Sequence, residues 1–512
     1  MMTVLSLLPI ISLLVCLIVI KLSVAKSGAI SLFLALVISL VFFGFGVFGL
    51  SVAVGKALAL ALFVSLIVWC ALFLYHLVYD FKAIEVINKN IVIFLEDKFV
   101  QFLLLTWLFS GLMQGMAGFG VPIVIITPIL IALGFDKVKS LSATLLGHSW
   151  AVTFGSMGAA FSIIHMITGI PQEDLSLPAW VFNTSAHFLT GIGVCWLYDG
   201  FKGIRKGFLY VLPVSAVMAL TQYFTLSSGM YALGTLNTAL VGLLTMFGLY
   251  KLRSSSKARE KQKIKLYKGS LNLFQSVLPY VVILVLLLSF QLLPQAVRDV
   301  SLSFQFPGSE TSLGHTVEAV TNYSQIRLFG HPAPVLLFAA VIAVIIYKRA
   351  GIWDKGVFGG AVKSTVKKGI PATLALLALG NMSLIMMDSG MTDRLAYDVA
   401  DLTGGFYPVF APFFGVLGSF LTGNNTNSNV LFGDFQQIVA LRLGVSDAVM
   451  SAAQTISGSI GVAIGPTLVL MGALASKQNG KEALIYKKLL PLLAIIALVM
   501  GIINYILINI FY

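Results

Sequence analysis

The stretches Gln114-Gly-Met-Ala-Gly-Phe-Gly-Val-Pro122 and Thr422-Gly-Asn-Asn-Thr-Asn-Ser-Asn429 decide how this chain is read, because each interrupts a long apolar segment. A helix in lipid pairs every backbone polar group internally. Irregular backbone at that depth survives only inside protein or beside a water-filled cavity. The two stretches stand about 306 residues apart, in corresponding places of two halves. A matched pair of such breaks is the sequence pointer to the central site of a transporter built from repeats.

The rest of the composition requires a membrane. The chain has 512 residues, 58% apolar and 10% charged, with a mean hydropathy of +0.97. A soluble domain carries about 25% charge. Spans of about 20 apolar residues recur from end to end, and no stretch is long and polar enough for a separate soluble domain. The net charge of +13 does not point to nucleic acid, because the basic residues sit in short loops between apolar spans, as the positive-inside rule requires. Cys16, Cys70 and Cys195 lie within apolar spans without metal or redox spacing; no metal and no cofactor is expected. Residues 1–20 are apolar, lack a basic start and are followed by Lys21, so they read as a retained first membrane helix and not as a cleaved leader.

The expected fold is an all-α polytopic membrane protein of about 12–14 transmembrane helices plus two helix-break or re-entrant hairpins in an inverted repeat. Residues 1–98 form N-terminal membrane helices and 99–207 the first repeat unit with its hairpin. Residues 208–404 form middle helices with a basic loop at 251–268, and 405–512 the second repeat unit with its hairpin. Segments 140–168 and 448–472 read as spans following the hairpins, and 294–330 as a loop. Loops 199–207, 251–268, 348–368 and 473–488 are basic; 169–177, 294–330 and 389–404 are neutral or acidic. One threading places the first set in the cytoplasm and the second outside, with the N-terminus extracytoplasmic, in the cell membrane. It makes the two halves antiparallel.

Several residues in and after the breaks could carry chemistry. Gly115, Gly118, Phe119 and Gly120 precede Pro122, where a helix start would present N–H groups and a positive dipole end to a carboxylate. Gln114 stands at the end of the preceding span. Thr422, Asn424, Asn425, Thr426, Asn427, Ser428 and Asn429 supply amides and hydroxyls that would be costly in lipid without partners. They suit an organic acid through their N–H and O–H groups, or a cation through their oxygens. His148, Ser149, Thr153 and Ser156 follow the first hairpin; Gln454, Thr455 and Thr467 follow the second, with Gln454 matching His148 at the same separation. A neutral histidine in a span can relay a proton, bond a substrate, or be a satisfied core residue. Asp388, at a span end, reads as interfacial. No paired acids, nucleophile set or metal cluster suggests an enzyme.

These motifs resemble the lactate permease family of secondary transporters. The resemblance runs through Gly118-Phe-Gly-Val-Pro122, Leu133-Gly-Phe135, Phe154-Gly-Ser-Met-Gly158, Tyr198-Asp-Gly-Phe-Lys-Gly203, Phe420–Asn429, Gly444-Val-Ser-Asp447 and Gly465-Pro466. It implies an inverted-repeat transport fold and proton-coupled uptake of small 2-hydroxy monocarboxylates such as L-lactate or glycolate. The family pattern carries Glu where Gln114 stands, Asp where Asn425 stands, often Lys at Val462, and Ser-Pro-Gln at Gly465-Pro-Thr467. Losing both signs together leaves no orphan charge. The function expected is therefore a monocarboxylate permease, with His148 the candidate proton group. Sodium is the alternative coupling ion, and a homodimer is a candidate assembly. A carrier of another small organic anion, an anion channel and a membrane enzyme are the alternatives.

Overall fold

The computed structural model describes residues 1–93, 97–116, 118, 120–253, 270–291, 293–294, 297, 300–329, 331–478 and 480–511. Phe119 lies outside these residues. So does most of the basic loop, with Lys257, Arg259, Lys261, Lys263, Lys265 and Lys268.

Helix follows helix, as apolar segments in lipid require. The first helices are α1 (Met2–Leu14), α2 (Val24–Phe42), α3 (Val47–Asp80) and α4 (Ala83–Ile93). Next come α5 (Lys98–Leu103), which continues through a π-helical turn into α6 (Ser110–Met116), then α7 (Val121–Ala132), α8 (Lys137–Gly147) and α9 (Gly155–Thr168). The middle of the chain holds α10 (Gln172–Ser227), α11 (Gly234–Arg253), α12 (Leu273–Gln291), α13 (Pro332–Arg349), α14 (Lys355–Asp388) and α15 (Met391–Thr403). The last helices are α16 (Tyr407–Thr422), α17 (Asn425–Leu443), α18 (Asp447–Gly461), α19 (Pro466–Ala475) and α20 (Glu482–Phe511). Among the described residues 11 helices are long and apolar enough to cross a membrane, or up to 12 with the bent pair Lys137–Ala151 and Gly155–Thr168 taken as one. The chain is a multi-pass membrane protein.

Helix α10 is two antiparallel arms. They fold back at Asp199 (φ −153°) and Gly200 (φ 57°). The arms pack closely: a Cβ at Gly203 would stand 2.0 Å from the Cys195 carbonyl oxygen. Asn183 Nδ2 donates to Gln222 Oε1 across them at 3.1 Å.

Both hairpins return to the face they left. In the first, Lys98 Nζ at the start of α5 donates to the Leu133 carbonyl after α7, at 2.9 Å. Beside it, Asp97 caps α5 by accepting from Phe99 and Val100 N–H and pairs with Lys206 at 2.9 Å. Burial opposes its charge. The hydrogen bonds from Lys206, Val100 and Phe99 nonetheless hold the carboxyl below the ordinary carboxylate range. In the second hairpin, Tyr407 at the start of α16 donates to Gln436 Oε1 in α17 at 2.8 Å. Arg442 at the end of α17 pairs with Asp401 at 3.1 Å. The first hairpin thus enters from a lysine-bearing face. The second enters from a face bearing Asp393, Asp398 and Asp401, where Thr3 also bonds Asp398.

Segment 140–168 is a broken span, bending by 55° between α8 and α9. Segment 448–472 lies within one span, Asp447–Ala475, which carries a 3-10 turn at Val462–Ile464 before α19. Segment 294–330 is not all loop. Strands β1 (Ser301–Phe306) and β4 (Val320–Arg327) form one antiparallel ladder, and β2 (Ser309–Glu310) with β3 (Thr316–Val317) a second. The alternation Leu302, Phe304, Phe306 is the period of a half-covered strand. Phe306 closes over Gly55 of α3, where a Cβ would come within 2.7 Å of its ring.

Asp388 is not interfacial. It is 1% exposed, and Lys56 of α3 donates to it at 3.1 and 3.4 Å. This pair ties α14, against which α17 of the second hairpin packs, to α3, which packs against α9. Removing one partner strands a buried charge, at about 3–5 kcal/mol, whereas replacing both with apolar groups is close to neutral. Lys56→Ala should therefore lower the melting temperature in detergent strongly. The double change Lys56→Met with Asp388→Leu should restore most of it, as read by scanning fluorimetry.

Candidate functional site

The site is built where four helix breaks meet. In the first half, Gly118 and Gly120 take left-handed φ values of 62° and 77°. A Cβ at Gly118 would stand 1.8 Å from Ser156 Oγ. Ser156 opens three consecutive left-handed residues: Ser156 (φ 48°), Met157 (φ 59°) and Gly158 (φ 75°). Left-handed backbone costs about 1–2 kcal/mol for each non-glycine residue, and such conformations cluster at functional sites. The turn is closed by the Phe161 N–H donating to the Thr153 carbonyl at 3.2 Å.

The second half repeats the plan. Gly423 has φ 69°, and a Cβ there would stand 3.5 Å from Thr467 Oγ1. Gly465 stands against the Gly423 backbone, its added Cβ 2.9 Å from Gly423 Cα. In each half the hairpin tip rests on the break of the following helix, with a hydroxyl at the contact. His148 caps the end of α8 and Val462 the end of α18. They are structural counterparts. Gln454, matched to His148 by sequence separation, lies further back in α18.

These breaks enclose a cavity of about 330 Å³. Its polar wall is Gln114, His148, Ser156, Asn424, Thr426 and Thr467; Leu72, Val152, Val462, Leu468 and Met471 supply apolar wall. Gly120, Ala159, Thr426 and Thr467 mark the starts of α7, the regular part of α9, α17 and α19, so four helix N-termini converge on it. Lys367 and Lys368, both exposed, line its mouth. No described lining residue is acidic.

Two buried atoms on this wall have no hydrogen-bond partner, Gln114 Oε1 and His148 Nε2. His148 Nδ1 stands 2.9 Å from the Thr144 carbonyl oxygen. A carbonyl only accepts, so Nδ1 carries a proton. Nε2 is then the nitrogen that can accept a proton, or donate one once protonated.

The other residues singled out in the sequence go elsewhere. Asn425 Nδ2 donates to Thr153 Oγ1 at 3.0 Å and to the Thr455 carbonyl at 2.9 Å. Asn429 Nδ2 donates to the Ala160 carbonyl at 2.9 Å and Thr455 Oγ1 at 2.8 Å. Ser459 Oγ accepts from the N–H groups of Val152 and Thr153 at 3.1 and 3.2 Å. These bonds form a polar seam between the two halves. Ser428 bonds the Gly415 carbonyl, and Gln454 reaches Ser428 and Gln436. Ser149 donates to Leu146, and Thr422 bridges Gly418 and Asn424. Asn427 lines a smaller pocket beside the cavity. The two lysines were missed because the charged pair reads as the end of a loop; α14 carries them inside one 34-residue helix. Their signal was Gly369-Ile-Pro371 directly after them, a small, bent approach to the apolar run.

The chain is similar to known proteins along nearly its whole length. The family pattern described as L-lactate permease matches residues 2–511. The glycolate permease GlcA of Escherichia coli K12 is 26% identical, covering 98% of this chain and 94% of its own. L-lactate permeases of Salmonella typhimurium and Bacillus subtilis are 24% and 25% identical, each over 80% of its own length and 83% and 82% of this chain. Among solved structures, the Alcanivorax borkumensis YdaH transporter is similar at a TM-score of 0.48 and 13% identity, covering 90% of this chain and 88% of that one.

Seam and wall residues should separate by experiment. Asn425→Ala and Thr455→Ala strip buried hydrogen bonds, worth about 1–3 kcal/mol each where a partner is left unsatisfied. Both should lower the melting temperature clearly. Ser156→Ala and Thr467→Ala should leave it close to the parent value.

Proposed function

The chain belongs to the L-lactate permease family, and from that premise we propose that it carries a small 2-hydroxy monocarboxylate, of lactate or glycolate size, through the cavity between its hairpins. The observation that carries this reading is the convergence of four helix N-termini on a cavity with two lysines at its mouth and no described acidic wall residue. Each dipole end is worth about 0.3–1 kcal/mol to an anion, more when partly buried. Desolvating one carboxylate costs several kcal/mol. The dipole ends offset only part of that. Gln114, Ser156 and Thr467 are the proposed hydrogen-bond partners that supply the rest, with the lysines gathering anions by long-range attraction. A dicarboxylate would double the cost without doubling the donors, so a monocarboxylate fits better.

A carrier fits better than a channel. Toward the aspartate face, Ile164 and Ile167 of α9 cover Gly433 of α17, and Asn429 ties α17 to the Ala160 carbonyl. The cavity is open at one face and sealed by packing at the other. By the positive-inside rule the lysine face is cytoplasmic, which makes this the inward-open state and leaves the N-terminus outside. Alternating access then moves the hairpins and broken helices against α3 and α14.

His148 is the proposed proton group, since its Nε2 has no partner on the cavity wall. Gln114 and Val462, at the family's usual Glu and Lys positions, both line the cavity, so their change removes a complementary pair of charges facing one space.

Reconstituted protein should give saturable, countertransport-competent flux of labelled lactate or glycolate; unsaturable flux would indicate a channel. His148→Ala should flatten the pH dependence of uptake, and an unchanged profile would remove His148 from coupling. Lys367→Gln with Lys368→Gln should raise KM several-fold at low ionic strength, with kcat near the parent value, and the difference should shrink in salt.

A further inference from the structure

We propose that the smaller pocket beside the cavity is the subsite for the substrate's 2-hydroxyl group, and that Ser65, Trp69 and Thr373 are specificity-determining residues of this permease. The inference rests on the function proposed above and goes beyond it to helices outside both hairpins.

The pocket holds about 20 Å³ and shares Ala372, Asn424 and Thr426 with the main cavity. About 10–15 Å³ is the least that one water-sized group needs, so it has room for one hydroxyl-sized group. It lies between α3, α14 and the start of α17. Polar groups come from all three: Ser65, Thr373, Asn424, Thr426 and Asn427.

The hydroxyls there are directed. Trp69 Nε1 donates to Thr373 Oγ1 at 3.0 Å. Thr373 Oγ1 and Ser65 Oγ stand 3.2 Å apart. An indole N–H only donates. The order Trp69 to Thr373 to Ser65 satisfies all three groups and leaves the Ser65 proton for a ligand oxygen. On the other wall, Asn424 Oδ1 is occupied by the Thr426 N–H at 2.9 Å, so the Asn424 amide offers its N–H groups. Thr426 and Asn427 supply oxygens. A 2-hydroxyl both accepts and donates, and it finds both roles here.

The sequence builds this placement into one turn of α14. Gly369 has no side chain, and a Cβ there would stand 2.7 Å from the Trp69 ring. The indole lies across that gap, and its N–H reaches Thr373 one helical turn further on. A substrate whose carboxylate sits in the main cavity and whose hydroxyl sits here would bridge the second hairpin to α3 and α14.

The test is a ligand titration read by thermal stabilisation of the purified protein, with lactate and propionate, which differ only by the 2-hydroxyl. The parent protein should bind lactate more tightly than propionate. Thr373→Val, which keeps the shape and removes the hydroxyl, should weaken lactate about tenfold or more and leave propionate within about twofold. Thr373→Ser should restore lactate binding. Gly369→Ala, which displaces the indole without touching a hydroxyl, should lose the same discrimination. A parallel loss of both acids, or no change in either, overturns the subsite. A parent protein that binds neither acid overturns the substrate reading itself.

Discussion

Everything in this structure depends on backbone hydrogen bonding where helices are broken inside a membrane. Each break exposes N–H and C=O groups that lipid cannot satisfy. The seam between the halves supplies partners at the worst place, the turn after α8. There Ser459 takes the N–H groups of Val152 and Thr153, and Asn425 and Asn429 close on Thr153, Thr455 and Ala160. That seam and the Phe161 N–H to Thr153 carbonyl bond together hold the left-handed run Ser156–Gly158 that shapes the cavity wall.

The two halves share a plan and divide the chemistry. Gly118 rests on Ser156 and Gly423 on Thr467, so each half gives the cavity a hydroxyl and two helix starts. His148 and Val462 occupy equivalent helix ends with unlike properties, one able to hold a proton and one not. The asparagine-rich run is divided too: Asn424 and Thr426 face the cavity, Asn427 faces the side pocket, and Asn425 and Asn429 bind the halves together. Asn425 works there because an amide can donate to two acceptors, Thr153 Oγ1 and the Thr455 carbonyl.

In the proposed transport cycle one part must stay still. The Lys56–Asp388 pair and the Trp69–Thr373 contact join α3 to α14, and these helices are the proposed scaffold. The hairpins touch that scaffold at fewer specific points, such as Ser383 donating to the Val430 carbonyl. A cavity whose wall belongs to both parts lets binding on one be felt by the other.

The sequence alone determined that the chain lives in lipid and that two apolar segments break, because composition and glycine strings report directly on solvent and backbone freedom. Gln114, His148, Ser156, Asn424, Thr426 and Thr467 line one cavity, and each was legible in the sequence as sitting in or beside a break. Only the tertiary structure decided which polar residues face the cavity and which rivet the halves, since neighbours one residue apart on a helix start point opposite ways. Only the fold brings Lys367 and Lys368 of α14 to the mouth, and Trp69 across Gly369. Those contacts join residues far apart in the chain, and nothing in the local pattern of either segment specifies its partner.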